Sequence, residues 1–114
     1  MEGKEDLPPV YCVEYNRTAI VKFDTIERML GFLDFFYEKC QDLIDPEKGP
    51  ILWVTSSIVR SFYDGVEKYV PIVSIVTDNE WAAWSVARIL RDEFGIPWIK
   101  DEDRARGLAI MLRW

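Results

Sequence analysis

The sequence contains no histidine, which removes the usual general base at neutral pH and the commonest neutral metal ligand. An ordinary hydrolase or a zinc enzyme is therefore not expected. Cysteine is scarce: Cys12 and Cys40 have neither zinc-finger spacing nor the density of a secreted disulfide scaffold. They read as structural thiols in a reducing cytosol. The six glycines are scattered singly, so no glycine-rich loop is available to cradle phosphate. No apolar run approaches membrane-span length, and Met1 to Asp6 is polar rather than a signal peptide. One glutamine (Gln41) and two asparagines (Asn16, Asn79), beside 30% charged residues, lean towards a thermophilic composition. The expectation is a soluble cytoplasmic protein with no cofactor and no metal. Residues 1–9 form a polar lead and 10–114 a single domain.

What is present pulls in two directions. Fourteen Lys and Arg stand against twenty Asp and Glu, a net charge of −6, which disfavours a broad positive field that coats duplex DNA. The chain nevertheless carries five Trp in 114 residues. The acid is unevenly spread: residues 1–48 have a net charge of −5 and residues 49–114 of −1. The aromatic half is close to neutral and leaves room for a local basic channel.

Along the chain, Val10 to Tyr15 and Thr18 to Phe23 read as strands around a tight turn at Asn16-Arg17. Asp24 with Glu27 has capping-box spacing, and Ile26, Met29, Leu30, Leu33, Phe36, Cys40 and Leu43 recur at helical spacing to about Ile44. Ile51 to Tyr63 and Val66 to Thr77 are long β-rich runs joined by Asp64-Gly65, the residues a two-residue type I′ turn requires. That turn puts Trp53, Val59, Tyr63, Val70, Ile72 and Val76 on one face of the ribbon. Leu52, Val54, Ile58, Arg60, Phe62, Tyr69, Val73 and Ile75 fall on the other. Both faces are apolar, so helices cover one and the other needs a partner. Thr77 with Glu80 offers a second capping box for a helix from about Asn79 to Phe94, stopped by Gly95. Ile96 to Lys100 reads as a short edge strand, Asp101 to Arg106 as a charged loop, and Leu108 to Trp114 as a closing strand. The expected fold is α+β: ββαββαββ, a mostly antiparallel sheet with a long central hairpin and two helices on one face.

Little in this order supports catalysis. Asp101-Glu102-Asp103 is a compact acidic triplet, but Arg104 and Arg106 lie beside it, as on a solvated loop. Leu30-Gly31-Phe32-Leu33-Asp34 followed by ββαββ resembles the opening of a LAGLIDADG homing endonuclease half. The metal-binding acid of that pattern would fall at Phe36, so a degenerate nuclease-like domain ranks third among the functional readings.

The aromatic and arginine residues are more informative. Trp81 and Trp84 lie on or near the helix face opposite the core stripe Ala83, Val86, Ala87, Leu90 and Phe94, interleaved with Arg88 and Arg91. One ribbon face carries Trp53 and Tyr63 with Lys68, the other Arg60 between Phe62 and Tyr69. Flat rings stack on unpaired bases without regard to sequence, and guanidinium groups pair with phosphate. The same residue types also make interfaces between subunits. Trp98 and Trp114 are expected to close the core at the sheet edge.

With this size, element order and composition, the chain resembles the ThermoDBP-related single-stranded-DNA-binding proteins of hyperthermophilic archaea. The likeness covers roughly Val10 to Trp114 and rests on the Trp81/Trp84/Arg88/Arg91 stripe and the Arg60/Phe62/Tyr69 ribbon face. It implies helices packed on an antiparallel sheet and single strands held in clefts by aromatic and basic side chains. The expected function is non-catalytic, sequence-tolerant binding of single-stranded DNA, with RNA as the other candidate, by a homo-oligomer. The alternative is a homo-oligomeric interaction module whose aromatic faces are buried between subunits.

Overall fold

A computed structural model describes residues 7–63 and 65–112, without the side chains of 61–63 and 66. The polar lead from Met1 to Asp6, the turn residue Asp64 and the terminal Trp114 therefore lie outside the described residues. Four antiparallel strands form one sheet in the order β1-β2-β4-β3: β1 (Tyr11–Tyr15), β2 (Thr18–Lys22), β3 (Ile51–Tyr63) and β4 (Val66–Thr77). Asn16 and Arg17, at φ of 55° and 64°, turn β1 into β2 in the paired left-handed conformation of a type I′ hairpin. The hairpin register matches the expected one, with Tyr63 opposite Val66, Val59 opposite Val70 and Ser57 opposite Ile72. The ladder between β2 and β4 ends at Lys22 and Ile72. Pro71 still accepts from the Phe23 amide at 2.9 Å, and beyond it β3 and β4 continue as a two-stranded ribbon whose Val59 and Val70 pack against the core cluster that holds Ala105 and Leu108.

Helix α1 (Ile26–Cys40) follows β2, and α2 (Glu80–Phe94) follows β4. Their caps lie one and two residues beyond those expected. Thr25, not Asp24, accepts from the Arg28 amide at 3.1 Å, and Asp24 instead pairs with the Arg28 side chain at 2.9 Å. Asn79 accepts from the Ala82 amide at 2.9 Å, while the single proton of the Thr77 hydroxyl is shared between the carbonyl oxygens of Arg17 and Asn79, 2.7 and 2.9 Å away. Gly95 ends α2 at φ 69°, where a side chain would be strained. Met29, Phe32, Phe36 and Cys40 of α1 are buried, and so are Ala83, Val86, Ala87 and Leu90 of α2. Both helices pack on the sheet face that presents Val21, Val73 and Ile75. Ile26 and Leu30, placed in the helical apolar set by spacing, are about half exposed.

The last part of the chain departs from expectation. Among the described residues no strand closes the sheet: residues 102–112 form helix α3 (Glu102–Leu112). Asp101 accepts from the Arg104 amide at 3.1 Å, Glu102 and Asp103 fill the first turn, and Ala105, Leu108 and Ala109 form the buried stripe. These acids are the start of a helix rather than a loop. Residues 96–100 also form no strand; the segment runs beside β1 through only two main-chain bonds, Cys12 N–H to Pro97 O and Ile99 N–H to Cys12 O, each 2.8 Å. Pro97 has no N–H with which to extend that pairing. The order is thus ββαββαα. α3 packs on the opposite sheet face, against Tyr11, Val13, Ile20 and Ile72. The second apolar face is covered in part by the chain itself.

A cap worth stabilising energy follows from this. Asp101→Ala is expected to destabilise the protein by about 1 kcal/mol, the usual effect of losing an N-cap acceptor. Urea denaturation at neutral pH measures it; a change near zero would mean that Asp101 does not start a helix.

Candidate nucleic-acid interface

Trp81 and Trp84 are separated by about one helical turn and meet edge to face, ring centroids 5.2 Å apart at 69°. Trp81 is 74% exposed, the most open of the large apolar side chains described. Trp84 is half-buried because it leans into a cleft between α2 and residues 98–102, beside the β1 edge. The cleft has a volume of about 380 Å³ and is lined by Trp84, Arg88, Trp98 and Lys100 together with Glu14, Ile99, Asp101 and Glu102. Trp98 packs against the core and also forms a wall of the cleft. The Lys100 ammonium lies 4.5 Å from the centre of the Trp98 ring. Arg91 faces water and pairs with Asp92 at 3.0 Å.

Charge in the cleft is mixed. Asp101 is occupied by the cap of α3, and Glu14 is half-buried with its Oε2 atom shielded from water and without a hydrogen-bond partner. The arrangement offers two indoles for stacking and two cations for phosphate, set among the three carboxylates of Glu14, Asp101 and Glu102. No family model, curated protein or solved structure matches the chain.

The ribbon residues stand elsewhere. α2 starts just beyond Thr77, whereas Lys68 and Tyr69 lie near the opposite end of β4. On one ribbon face Arg60 pairs with Glu67 at 3.0 Å, and the Tyr69 hydroxyl donates to the same carboxylate oxygen at 2.6 Å. That hydrogen bond holds the Tyr69 hydroxyl above its ordinary pKa, because the proton is shared with a carboxylate; desolvation adds to it. The charge set among aromatics thus has a carboxylate partner within its own ribbon. Lys68 is exposed on the other face, and Trp53, opposite Val76, is 48% exposed on edge strand β3. Phe62 and Tyr63 occupy β3 opposite Glu67 and Val66; their side chains lie outside the described residues. Lys22 of β2 has a lowered pKa, chiefly from burial; the Asp24 carboxylate works against the shift, and Lys68 and Arg104 each add a smaller repulsion.

The ten residues singled out by sequence are therefore not gathered on one surface. Trp81, Trp84, Arg88 and Arg91 share the outer side of α2, while the ribbon residues are split between two faces. Trp98, Lys100 and Glu14 join the α2 group and were not anticipated. Trp98 and Lys100 could have been paired by the alternation of an extended segment, which sets residues two apart on one side. Glu14 carries no such signal. Asp34 of the LAGLIDADG-like segment is exposed on α1, and Phe36 is in the core. Among the described residues no helix is long and apolar enough to cross a membrane.

Proposed function

We propose that the protein binds single-stranded nucleic acid, DNA in the first instance, through the α2 cleft and the exposed Trp81 beside it. The observation that carries this reading is the convergence of Trp84, Trp98, Arg88 and Lys100 on one open cleft, with the exposed Trp81 set against Trp84. Stacked bases contribute on the order of 1–3 kcal/mol each, and cations at the rim pair with phosphate without making the whole surface basic. The resemblance to the ThermoDBP-related proteins points the same way.

Titrating a fluorescent oligothymidylate while reading Trp emission tests it. Binding is expected to quench the Trp signal and to weaken about tenfold when salt rises from about 50 to 200 mM, as two or three phosphate contacts require. Absence of binding at the lower salt would overturn the reading.

A second reading has its own observation. Ile26, Leu30 and Tyr37 lie along one line of α1 and are 44%, 52% and 43% exposed. Such a stripe suits pairing with another copy, which favours a homo-oligomeric interaction module or an oligomeric form of the binding protein.

A further inference from the structure

We propose that two copies of the chain join edge to edge, β3 against β3 in antiparallel register about a two-fold axis at Ser57, so that their sheets become one. This surface is distinct from the α1 stripe, and the inference stands apart from the single-strand reading. β3 is an outer strand of the sheet, with β4 on one side only. Among the described residues, main-chain contact on its free side is confined to Ile51, whose carbonyl accepts from the Asp45 amide at 2.9 Å. Pro71 shows which groups of β3 point outward. Its carbonyl accepts from Phe23, on the side of β4 away from β3, so Ile58 opposite it makes no ladder bond to β4. The N–H and C=O of Ile58 therefore face out. By alternation, so do those of Val54, Ser56 and Arg60.

Exposed edges are usually blunted by lysine, proline, a charge or a bulge. The free stretch from Trp53 to Arg60 has none of these except Arg60, and the irregularity in its ladder lies before it, between Ile51 and Trp53. The charges favour a second copy as the occupant. The chain carries −6 overall, yet β3 holds no acid. Arg60, its single charge, pairs with Glu67 of its own hairpin at 3.0 Å. An axis at Ser57, the midpoint of Ile51–Tyr63, overlaps the two strands in full and sets Arg60 across from Val54. The two Arg60 then stand about 20 Å apart along the pair, where salt screens their repulsion. Pairing through Val54, Ser56, Ile58 and Arg60 forms about eight main-chain hydrogen bonds, within the range of a stable interface (about 10 ± 5). Ile58, 47% exposed, falls diagonal to Val54 and Ile58 of the second copy, and Trp53, 48% exposed, falls diagonal to its Val59.

Light scattering of the full chain at about 100 µM is expected to give twice the mass of one chain. Ile58→Pro removes an outward N–H that β4 does not use, and proline is tolerated at such edge positions. It should keep the circular dichroism of the parent and weaken association at least about a hundredfold. Ser57→Cys, once oxidised, should give a disulfide-linked dimer, because the pair at the axis brings its Cα atoms to about 4.5 Å. Thr55→Cys, displaced along the strand, should not link. A monomer at that concentration would overturn the proposal. So would association that is lost in Leu30→Glu but kept in Ile58→Pro, which would move the interface to α1. Where Ile58→Pro does not fold, the cysteines decide: no link through Ser57→Cys, or equal linking at both positions, would overturn the pairing about Ser57.

Discussion

Trp81→Ala is expected to weaken binding of an oligothymidylate about tenfold, and Trp81→Ala combined with Trp84→Ala about a hundredfold. Trp81 is 74% exposed, so its removal takes little from the folded core and the single variant should keep its stability. Trp84 is half-buried, and the double variant needs a melting curve beside the binding isotherm. The two rings touch, so the loss in the double variant is read against both single variants, the difference giving their coupling. Light scattering on the same samples separates stacking from association. Lost affinity at unchanged mass supports a base platform. A fall in mass with affinity retained would assign the two rings to a subunit interface.

Raising the pH from 9 to 12 is expected to remove about 3 kcal/mol of stability through one buried thiol. Cys12 is fully buried on β1, and burial, with a smaller contribution from the Glu14 charge, pushes its pKa from 9.0 up to about 12. The unfolded chain releases this proton near pH 9, whereas the folded chain holds it to about pH 12. The folded state therefore binds more protons across that window. The stabilisation is complete below pH 9 and is lost as pH rises, by about 1.4 kcal/mol per unit. Cys12→Ala carries a constant cost from the lost packing but should lack this slope. Urea denaturation of both proteins at pH 8, 9, 10 and 11 reads the difference; parallel curves would show that the thiol does not titrate differently on folding. Cys40 and Lys22 shift too, but they are common to both proteins and cancel in the comparison.

Much of the α+β fold was legible because local signals and tertiary packing agree there. The Asp64-Gly65 pair and the β-rich runs around it specify the hairpin register residue by residue. Gly95 stops α2 where a left-handed residue is needed. The carboxy-terminal segment was misread because Gly107 and a run of charges look like a loop and a short apolar run looks like an edge strand. Ala105, Leu108 and Ala109 satisfy helical spacing equally well, and local pattern does not arbitrate between the two. The uncovered sheet face does. A helix can bury three apolar side chains against Val13, Ile20 and Ile72, whereas a fifth strand would leave that face open.

For the candidate interface the division is similar. Helical periodicity by itself put Trp81, Trp84, Arg88 and Arg91 on the outer side of α2, because residues three and four apart share a face whatever the helix packs on. It could not show that Arg60 is paired with Glu67 or that the ribbon residues lie far along β4 from α2. Nor could it bring Glu14, Trp98 and Lys100 to Trp84: Glu14 stands on the first strand, far before α2 in the chain, and Trp98 and Lys100 follow α2 beyond the break at Gly95. Only the run of residues 96–100 alongside β1, held by two main-chain bonds to Cys12, sets them around one cleft. The sequence by itself determined the elements from β1 to the Gly95 stop of α2 and their faces, since both are short-range properties of the backbone. The tertiary structure decided which faces meet, because burying apolar surface on both sides of the sheet depends on the whole chain at once.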